Sequence, residues 1–226
     1  MSLKHLTDKK EFDFRILKTI PIFSELPDSR LEALFEKLKR NELKRNTCIF
    51  LEGEPGKEFF IVAKGKVKIF LSSPEGREVT LTFLEPPQFF GELSLLDDLP
   101  RSASARTVGS SILYSLRKES FQNFLTEYPQ AALRILKTTT EMVRRLTEQV
   151  HSLVFKDVQG RVAKKILDLS KKQIGIKFTH QELANMIGSA RETVSRVILN
   201  LEEKRVLKIN RDGIQILQIH ELEKLL

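Results

Sequence analysis

Four polar residues near the C-terminal end of the chain have the types and the spacing to hydrogen-bond the edges of DNA bases. In a helix Arg191 would share a face with Ser195, and Glu192 with Ser195 and Arg196, because residues three and four apart are neighbours. An arginine can donate two bonds to guanine O6 and N7, and a glutamate can accept one from cytosine N4. The pattern therefore predicts a helix whose first turns enter the major groove. The alternative is a solvated charged face, the usual fate of such residues.

The surrounding segment predicts a helix-turn-helix that would position these side chains. Residues 179–182 and 189–192 each have the capping-box pattern, in which a hydroxyl and a glutamate three residues later satisfy each other's backbone amides. Gly188 suits the left-handed C-cap of the first helix. The residues predicted to face the core are Leu183, Ala184 and Ile187, then Val194, Val197, Ile198 and Leu201. This agreement of caps, glycine and apolar spacing favours base reading over a solvated face.

A two-stranded hairpin is predicted behind the second helix. Residues 206–210 and 214–217 flank Asp212-Gly213, a dipeptide typical of tight hairpin turns. Such a hairpin would be a wing, from which Lys208 and Arg211 could contact phosphates or be ordinary surface charges. The predicted DNA-contacting residues of the motif are Thr179, Gln181, Arg191, Glu192, Ser195 and Arg196.

A long helix is predicted after Pro129, with a heptad repeat of apolar residues. Two series with a seven-residue period interleave as a and d positions, Leu136, Val143 and Val150 in one and Thr139, Leu146 and Leu153 in the other. Valine at a and leucine at d favour a parallel two-stranded coiled coil. The predicted dimerisation residues are Leu136, Val143, Leu146, Val150 and Leu153. The alternative is one helix packed on its own domain, because the pattern spans only 18 residues.

The first half of the chain has the patterning of a small antiparallel β-structure. Short β-rich runs occur at residues 48–51, 59–63, 67–71, 79–84 and 112–116. They alternate with turn signals such as Lys64-Gly65, which predict an antiparallel barrel or roll and disfavour a parallel βαβ arrangement. We expect a short helix before them with Asp28 as its N-cap, and another over 118–128. Cys48 is predicted to be buried as a small hydrophobe.

Composition narrows the classes of protein to which the chain can belong. The net charge of +8 favours polyanionic partners, but residues 157–226, with 13 basic against 9 acidic residues, hold only +4 of it. No apolar run approaches the about 18 residues that span a bilayer, and the polar start is unlike a signal peptide, so we expect no membrane contact and a cytoplasmic location. With one cysteine no Cys-rich zinc or iron–sulfur site can form, and no metal is expected.

The sequence does not predict an enzyme. The four histidines (His5, His151, His180 and His220) are scattered, and there is no HExxH motif, nucleophile elbow or glycine-rich phosphate loop before a helix. A sensor with histidine-ligated haem remains an alternative, and an absorbance scan for a Soret band would reveal it.

Residues 191–196 (RETVSR) strongly resemble the cyclic-AMP receptor protein/FNR family of bacterial transcription regulators. Residues 153–161 (LVFKDVQGR) resemble the segment that joins the dimer helix to the DNA-binding domain in that family. The resemblance implies an effector-responsive homodimer that binds double-stranded DNA, with RNA polymerase as a further partner. It also implies that Arg191, Glu192 and Arg196 read TGTGA-like half-sites of a palindromic operator. Ser195 stands where the cyclic-AMP receptor itself has glycine, which implies a shifted preference at a flanking base.

Residues 90–96 (FGELSLL) and 100–103 (PRSA) resemble the phosphate-binding cassette of cyclic-nucleotide-binding domains. Backbone amides of a short helix, together with an arginine guanidinium, can hold a cyclic phosphate. The effector contacts implied by the resemblance are Gly91 and Glu92 to the ribose, Arg101 and Ser102 to the phosphate, and Thr147 to the base. Cyclic AMP or another cyclic nucleotide is accordingly the expected effector.

At two positions the sequence departs from the family pattern, which leaves alternatives for the effector and for the role of the cassette. Pro87 stands where the family usually has glycine, and of the base-contacting pair, here Leu146 and Thr147, only Thr147 keeps a hydroxyl. A different effector, or a cassette retained only as scaffold, therefore remains an alternative. The expected fold is α+β, with a cyclic-nucleotide-binding-like antiparallel β-roll in residues 1–129, a dimerisation helix in 130–156 and a winged helix-turn-helix in 157–226.

Overall fold

Residues 14–170, 178–210 and 213–226 are described by the computed structural model of the protein, and the chain divides into two units. The first unit contains the residues up to Phe70 together with Thr82–Glu141. The second contains Leu71–Leu81 and Met142–Leu226. The division after Glu141 falls inside a continuous helix, so the backbone stays helical where one unit ends and the next begins.

A β-rich segment flanked by helices makes up the described chain from residue 14 to residue 155. In chain order the elements are a 3-10 helix Phe14–Thr19, α1 Asp28–Lys37, β1 Lys39–Leu43, β2 Cys48–Phe50, β3 Glu58–Lys64, β4 Val67–Ser72, β5 Glu78–Leu84, β6 Phe89–Phe90, α2 Leu93–Leu96, β7 Ser104–Thr107, β8 Ser111–Arg117, α3 Lys118–Glu127 and α4 Pro129–Phe155. The strands form two four-stranded sheets, β1-β8-β3-β6 and β2-β7-β4-β5. The central strands β8 and β7 pair antiparallel with their neighbours, which confirms the predicted roll.

Strand β3 shows why this part of the chain folds as a roll. Its side chains alternate between two faces, as strand geometry requires, yet both faces are buried. Phe59 and Ile61 join a core with the surrounding helices, where Phe59 stacks on Phe121 with ring centroids 4.7 Å apart. Phe60 and Val62 point the other way, into the core between the sheets. The continuous apolar run of β3 therefore serves two cores at once.

Helix α4 buries only its beginning within the single chain. Ala131 and Ile135 are buried in the core of the first unit. Most of the heptad residues further along are instead exposed: Leu136 62%, Val143 54%, Val150 59% and Leu153 45%. Leu146 is half-buried. Most of the a and d series thus forms an apolar stripe that stays largely exposed among the described residues.

After α4, the described residues of the second unit form four helices and a two-stranded hairpin. Its elements after α4 are α5 Val158–Ser170, α6 His180–Ile187, α7 Arg191–Glu203, β9 Leu207–Asn210, β10 Gly213–Ile216 and α8 Ile219–Glu223. The predicted inward residues of α6 and α7 are buried in one core, except that Val197 lies half-buried at its edge. The basic stretch 171–177 and the hairpin turn at Arg211-Asp212 lie outside the described residues. Strands β9 and β10 pair antiparallel, as the wing prediction requires.

The elements that do not appear among the predictions from sequence include the 3-10 helix Phe14–Thr19, β1, β6, β7 and α8. Two of these strands have sequences that do not alternate between apolar and polar residues, KRNEL in β1 and SART in β7. They form because they pair with neighbouring strands, β1 with β8 and β7 with both β2 and β4. Pairing with neighbouring strands outweighs the weak β-strand propensity of these two sequences.

Two helix caps differ from the prediction. Asp28 is not an N-cap: Pro27 precedes α1, and Asp28 is its first residue and forms an ion pair with Lys18. The second capping box is also wrong, because α7 begins at Arg191 after Ala190, with no side-chain cap. The backbone amide of Ser189 instead donates to the Ala184 carbonyl at 3.0 Å, so this residue belongs to the end of α6.

The prediction that Cys48 is buried is wrong, because the residue is exposed. It lies on β2 at the edge of its sheet, and the register shifts between Cys48 and Phe50. Such an irregularity changes which side chains point to the core. Partial desolvation raises the pKa of the thiol, against the attraction of Arg106, and a raised pKa lowers the thiolate fraction on which reactivity depends.

Candidate DNA-reading surface and effector site

The first helix of the motif, α6, begins with the predicted capping box. The Thr179 hydroxyl accepts from the backbone amide of Glu182 at 3.1 Å, and the Glu182 carboxylate accepts from the backbone amide of Thr179 at 2.7 Å. The helix ends at Gly188, whose φ of +63° is the left-handed conformation that glycine tolerates. Both ends of α6 are therefore set by local residues, and the tight turn that follows directs the chain into α7.

Helix α7 divides sharply into a buried and an exposed face. Val194, Ile198 and Leu201 are buried in the core of the second unit. Arg191 and Glu192, in the first turn, and Arg196, in the second, are exposed, and Ser195 is half-buried. The helix thus holds three charged side chains and a hydroxyl on the side away from the core, where they are free to meet base edges.

The polar residues of α6 lie beside those of α7 in the same unit. His180, the first residue of α6, places its Nδ1 atom 2.9 Å from the Ser195 hydroxyl oxygen. Gln181 is exposed, and its side-chain amide donates to Asn185 one turn later at 2.8 Å. Thr179, the N-cap, is exposed. The six residues predicted to contact DNA therefore lie on two neighbouring helices of one unit.

The wing is tied to α7 by a hydrogen bond that the sequence did not reveal. The Glu202 carboxylate accepts from the backbone amide of Ile209 in β9 at 2.9 Å. Lys208, its neighbour on that strand, is exposed and lies opposite Gln215 of β10. Arg211, the second phosphate-contact candidate, lies outside the described residues. Of the two candidates, the structure therefore shows only Lys208, on a strand that is hydrogen-bonded to α7.

Arg101 is the centre of the candidate effector site and is only 5% exposed. Its Nη1 atom donates to the Gly91 carbonyl at 2.7 Å and to the Ser94 hydroxyl at 2.8 Å. Its Nη2 atom donates to the Glu58 carbonyl at 2.7 Å. The guanidinium carbon lies 4.1 Å from the centroid of the Phe50 ring, a cation–π distance. Several segments of the chain therefore hold this side chain in one orientation.

One donor of Arg101 has no protein partner. The Nε atom is buried and makes no hydrogen bond within the described chain. A buried unpaired donor on a cation costs free energy unless a ligand satisfies it, and phosphate oxygens are strong acceptors for guanidinium groups. The pre-oriented guanidinium, whose buried Nε–H has no partner among the described residues, therefore has the chemistry to bind an anion such as a phosphate.

Gly91 is required by the close approach of Arg101. Its φ is +83°, and a Cβ atom placed on it would lie 2.8 Å from Arg101 Nη1 and 3.3 Å from the Glu58 carbonyl oxygen. Any larger residue would be strained in its backbone and would push the guanidinium away. The glycine expected to contact the ribose thus has a structural role of its own.

Glu92 is a half-buried glutamate whose carboxylate interacts with the Arg101 charge. Desolvation raises its pKa, although a hydrogen bond from its own backbone amide and the nearby Arg101 charge both favour ionisation. A carboxyl group in this position can accept a hydrogen bond from a ligand hydroxyl, and such a bond would offset part of the desolvation. A carboxylate in this place suits the ribose-binding role that the resemblance implies.

The remaining effector candidates are solvent-accessible. Ser102, next to Arg101, is exposed. Thr147 belongs to the second unit, on α4, where its exposed hydroxyl donates to the Val143 carbonyl one turn earlier at 3.0 Å. Gly91, Glu92, Arg101 and Ser102 are therefore grouped in the first unit, and the role of Thr147 stays a prediction.

Three residues that contact Arg101 were not predicted from the sequence: Glu58, Phe50 and Ser94. Ser94 lies inside the cassette motif, and its hydroxyl is what marks it as a possible partner for a cation. Glu58 contributes a backbone carbonyl, and Phe50 contributes a ring from another strand, so no side-chain chemistry in the sequence identifies either. Such residues become visible only when the strands are assembled.

The described residues contain neither a membrane-spanning helix nor a metal-binding cluster. Within residues 14–170, 178–210 and 213–226, no helix is long and apolar enough to cross a membrane. The same residues hold no group of three or more His, Cys, Asp or Glu side chains that could bind a metal ion.

Comparison with known protein families gives two matches that together cover most of the chain. A family described as "Cyclic nucleotide-binding domain" matches residues 40–128. A family described as "Crp-like helix-turn-helix domain" matches residues 160–225. The first range contains the whole Arg101 site, and the second contains both helices of the reading surface.

Similar proteins share nearly the full length of the chain. The "CRP-like cAMP-activated global transcriptional regulator" of Mycobacterium tuberculosis is 30% identical over 210 residues, covering 89% of this chain and 94% of that protein. The "Cyclic AMP receptor protein" of Thermus thermophilus is 31% identical over 211 residues, covering 92% and 98%. The fold is shared with the c-di-GMP-responsive regulator CLP of Xanthomonas campestris, with a TM-score of 0.77 at 22% identity, over 84% of this chain and 99% of that one.

Proposed function

Because the chain belongs to the cyclic-AMP receptor protein/FNR family of bacterial transcription regulators, we propose that it binds palindromic DNA operators as a homodimer. A small anionic effector controls this binding. It has the family's cyclic nucleotide-binding domain and its helix-turn-helix DNA-binding domain. The observation that carries the proposal is the exposed face of α7, where Arg191, Glu192 and Arg196 stand clear of the core.

In the proposed complex the first turns of α7 read TGTGA-like half-sites in the major groove. Arg191 and Arg196 each donate to a guanine, worth about 1–3 kcal/mol of discrimination for a good bidentate pair. Glu192 accepts from a cytosine amino group and repels acceptors in its place. Thr179 and Gln181, at the start of α6, contact the DNA backbone and set the register. Half-sites about one helical turn apart would mirror the two-fold symmetry of the dimer.

A selection from random oligonucleotides tests this assignment. Glu192→Ala is expected to change the enriched consensus, since it removes a base-reading carboxylate. The matched control is Glu203→Ala, which removes an exposed glutamate from the last position of the same helix. If Glu192→Ala returns the wild-type consensus, the recognition helix is assigned wrongly.

The proposed dimer forms through the exposed heptad stripe of α4. The stripe includes Leu136, Val143, Val150 and Leu153, each at least 45% exposed in the single chain. Pairing it with a second copy would remove that apolar surface from water, at about 25 cal/mol per Å². The geometry expected for valine at a and leucine at d is a parallel two-stranded coiled coil.

Sedimentation at micromolar protein concentration tests the dimer. The double variant Val143→Lys/Leu146→Lys should sediment as a monomer and lose operator binding, because it places charges in the stripe. Glu148→Lys, an exposed position of α4 outside the a and d series, is the control and should remain dimeric. A wild-type protein that sediments as a monomer would disprove the proposal.

The proposed effector is cyclic AMP or another cyclic nucleotide, held by Gly91, Glu92, Arg101 and Ser102, with Thr147 at the base. The open Nε–H of Arg101 supports this, since it is a buried donor beside a carboxylate suited to a ribose hydroxyl. The effector supplies a cyclic phosphate and a sugar hydroxyl, and the chain supplies the guanidinium, the carboxylate and their orientation.

Calorimetric titration with cyclic AMP, cyclic GMP and cyclic di-GMP tests the effector site. Arg101→Lys keeps the charge but loses the planar fork, so affinity should fall at least tenfold. Arg106→Lys, in the adjacent strand β7, is the control, and the melting temperature of each variant shows whether it folds. No heat from the wild-type protein with any of the three would disprove the nucleotide proposal.

A second candidate is the same regulator without cyclic-nucleotide binding. It is favoured by the contacts of Arg101, which already donates to the Gly91 and Glu58 carbonyls, and by Leu146 in place of a hydroxyl residue. The effector would then be another small molecule or a haem-bound gas. A Soret band in the absorbance of the purified protein would identify the haem alternative.

We also propose that the chain acts in the cytoplasm and contacts RNA polymerase at its operators. The proposed function involves neither catalysis nor a bound metal. Its working divisions are a sensing domain in residues 1–129, a dimerisation helix in 130–156 and a DNA-binding domain in 157–226.

A further inference from the structure

A hydrogen bond joins the two helices of the reading surface at its polar rim. The imidazole Nδ1 of His180 lies 2.9 Å from the hydroxyl oxygen of Ser195. His180 is the first residue of α6, and Ser195 lies in the second turn of α7. Both residues are half-buried, so the contact lies at the edge of the core rather than inside it.

This contact limits what the Ser195 hydroxyl can do for a ligand. A serine hydroxyl has one donor hydrogen and two acceptor lone pairs, and in a neutral imidazole Nδ1 either accepts or donates. Where Nδ1 accepts, the hydroxyl hydrogen is used and Ser195 offers only lone pairs. Where Nδ1 donates, one lone pair is used and the hydroxyl hydrogen is available. Either bond also removes the free rotation that would let the hydroxyl suit any base.

We propose that His180 is a specificity-determining positioning residue, which acts through Ser195 on the recognition of one base pair. It holds the Ser195 hydroxyl in a single orientation, so that one hydrogen-bonding function faces the base pair next to those met by Glu192 and Arg196. This inference rests on the proposed function, because it requires α7 to lie in the major groove. His180 itself touches no base.

The packing of the two helices does not depend on this bond. Leu183, Ala184, Val194 and Ile198 are each 0% exposed and belong to the core that α6 and α7 share. The start of α6 is fixed separately by the capping box at Thr179. The loss of one bond at the half-buried rim should therefore change base preference much more than stability.

The experiment compares full-length variants on operators that differ at single base pairs, with melting temperature measured in parallel. His180→Ala and Ser195→Ala should each change the preference at the same base pair by about threefold to tenfold, the range of one net hydrogen bond. The double variant should match the single variants. His180→Asn, whose side-chain amide can occupy the place of Nδ1, should keep the wild-type preference. His220→Ala, which removes an exposed histidine from α8 of the same unit, is the control.

Two results would overturn the inference. In one, His180→Ala leaves every preference unchanged while Ser195→Ala shifts one, so the hydroxyl acts without the histidine. In the other, His180→Ala weakens all operators equally and lowers the melting temperature, so the histidine is only structural. Glu192→Ala separates this from failure of the proposed function: if that variant also leaves the consensus unchanged, α7 is not the reading helix.

Discussion

Replacing Gly91 with alanine should show whether the Arg101 site is held together by close packing. Gly91 has a φ of +83°, and an added Cβ would lie 2.8 Å from Arg101 Nη1. Gly53 is a matched control in the same unit, since its φ is +84° but a Cβ there meets nothing within 4 Å. Both substitutions force an L-residue into the left-handed region, and only Gly91→Ala also displaces the guanidinium.

The expected magnitudes follow from these two terms. The backbone conformation should cost about 1–2 kcal/mol of the free energy of unfolding in both variants. Gly91→Ala should cost about 1.5–3 kcal/mol more, because Nη1 must move away from the Gly91 carbonyl or the Ser94 hydroxyl, and bonds made by charged groups have that value. The difference between the two variants isolates the guanidinium contacts from the backbone strain.

Tyrosine fluorescence during urea unfolding can measure this difference. The chain has no tryptophan and two tyrosines, and both Tyr114 and Tyr128 belong to the first unit. The signal therefore reports the unit that contains Gly91, separately from the DNA-binding part. Equal losses for Gly91→Ala and Gly53→Ala would refute the reasoning, because the close approach to Arg101 would then carry no free energy.

Three further predictions concern the helix caps, the Glu92 carboxylate and the wing. Thr179→Ala should lower the free energy of unfolding of the second unit by about 0.5–2 kcal/mol, because it removes the N-cap of α6. Ser189→Ala should leave urea unfolding nearly unchanged, because Ala190 and not Ser189 is the N-cap of α7. Since the pKa of Glu92 is raised, its ionisation opposes folding above that pKa, so stability should fall as pH rises through it. In thermal unfolding scans, Glu92→Gln should therefore be more stable than the wild type at neutral pH. This gain in stability should vanish towards pH ~4, near the ordinary pKa of a glutamate side chain. Lys208→Ala should weaken all operators alike and reduce the slope of log affinity against log salt by about one in filter-binding titrations; a changed consensus would contradict its role as a phosphate contact.

Much of the helix-turn-helix was predictable because its signals are local. The capping box of α6 needs only Thr179 and Glu182, three residues apart, and the left-handed turn needs only Gly188. The second capping box failed although its residue types were right, because Ser189 was already engaged in closing α6. A cap depends on where the preceding helix ends, and that is set by the packing of two helices rather than by one four-residue pattern.

The β-roll was predictable as a class but not strand by strand. Runs such as β3 are apolar enough to be recognised, whereas β7 (SART) is polar and becomes a strand only between β2 and β4. Cys48 lies in an apolar run yet is exposed, because β2 is an edge strand with a register irregularity. Which face of a short strand is buried depends on its neighbours, and these are distant in sequence.

The sequence by itself determined the order of the parts, the residue types of both candidate sites and the heptad stripe of α4, since each depends on periodicity or on short-range hydrogen bonding. Only the tertiary structure decided that Arg101 is held by the Glu58 carbonyl and the Phe50 ring, and that His180 bonds Ser195 fifteen residues away. These contacts join segments that are not neighbours in sequence, and no short sequence pattern predicts that they will meet. They exist because burial of the surrounding apolar side chains brings strands and helices together, and the polar groups then satisfy whichever partners that packing places within reach.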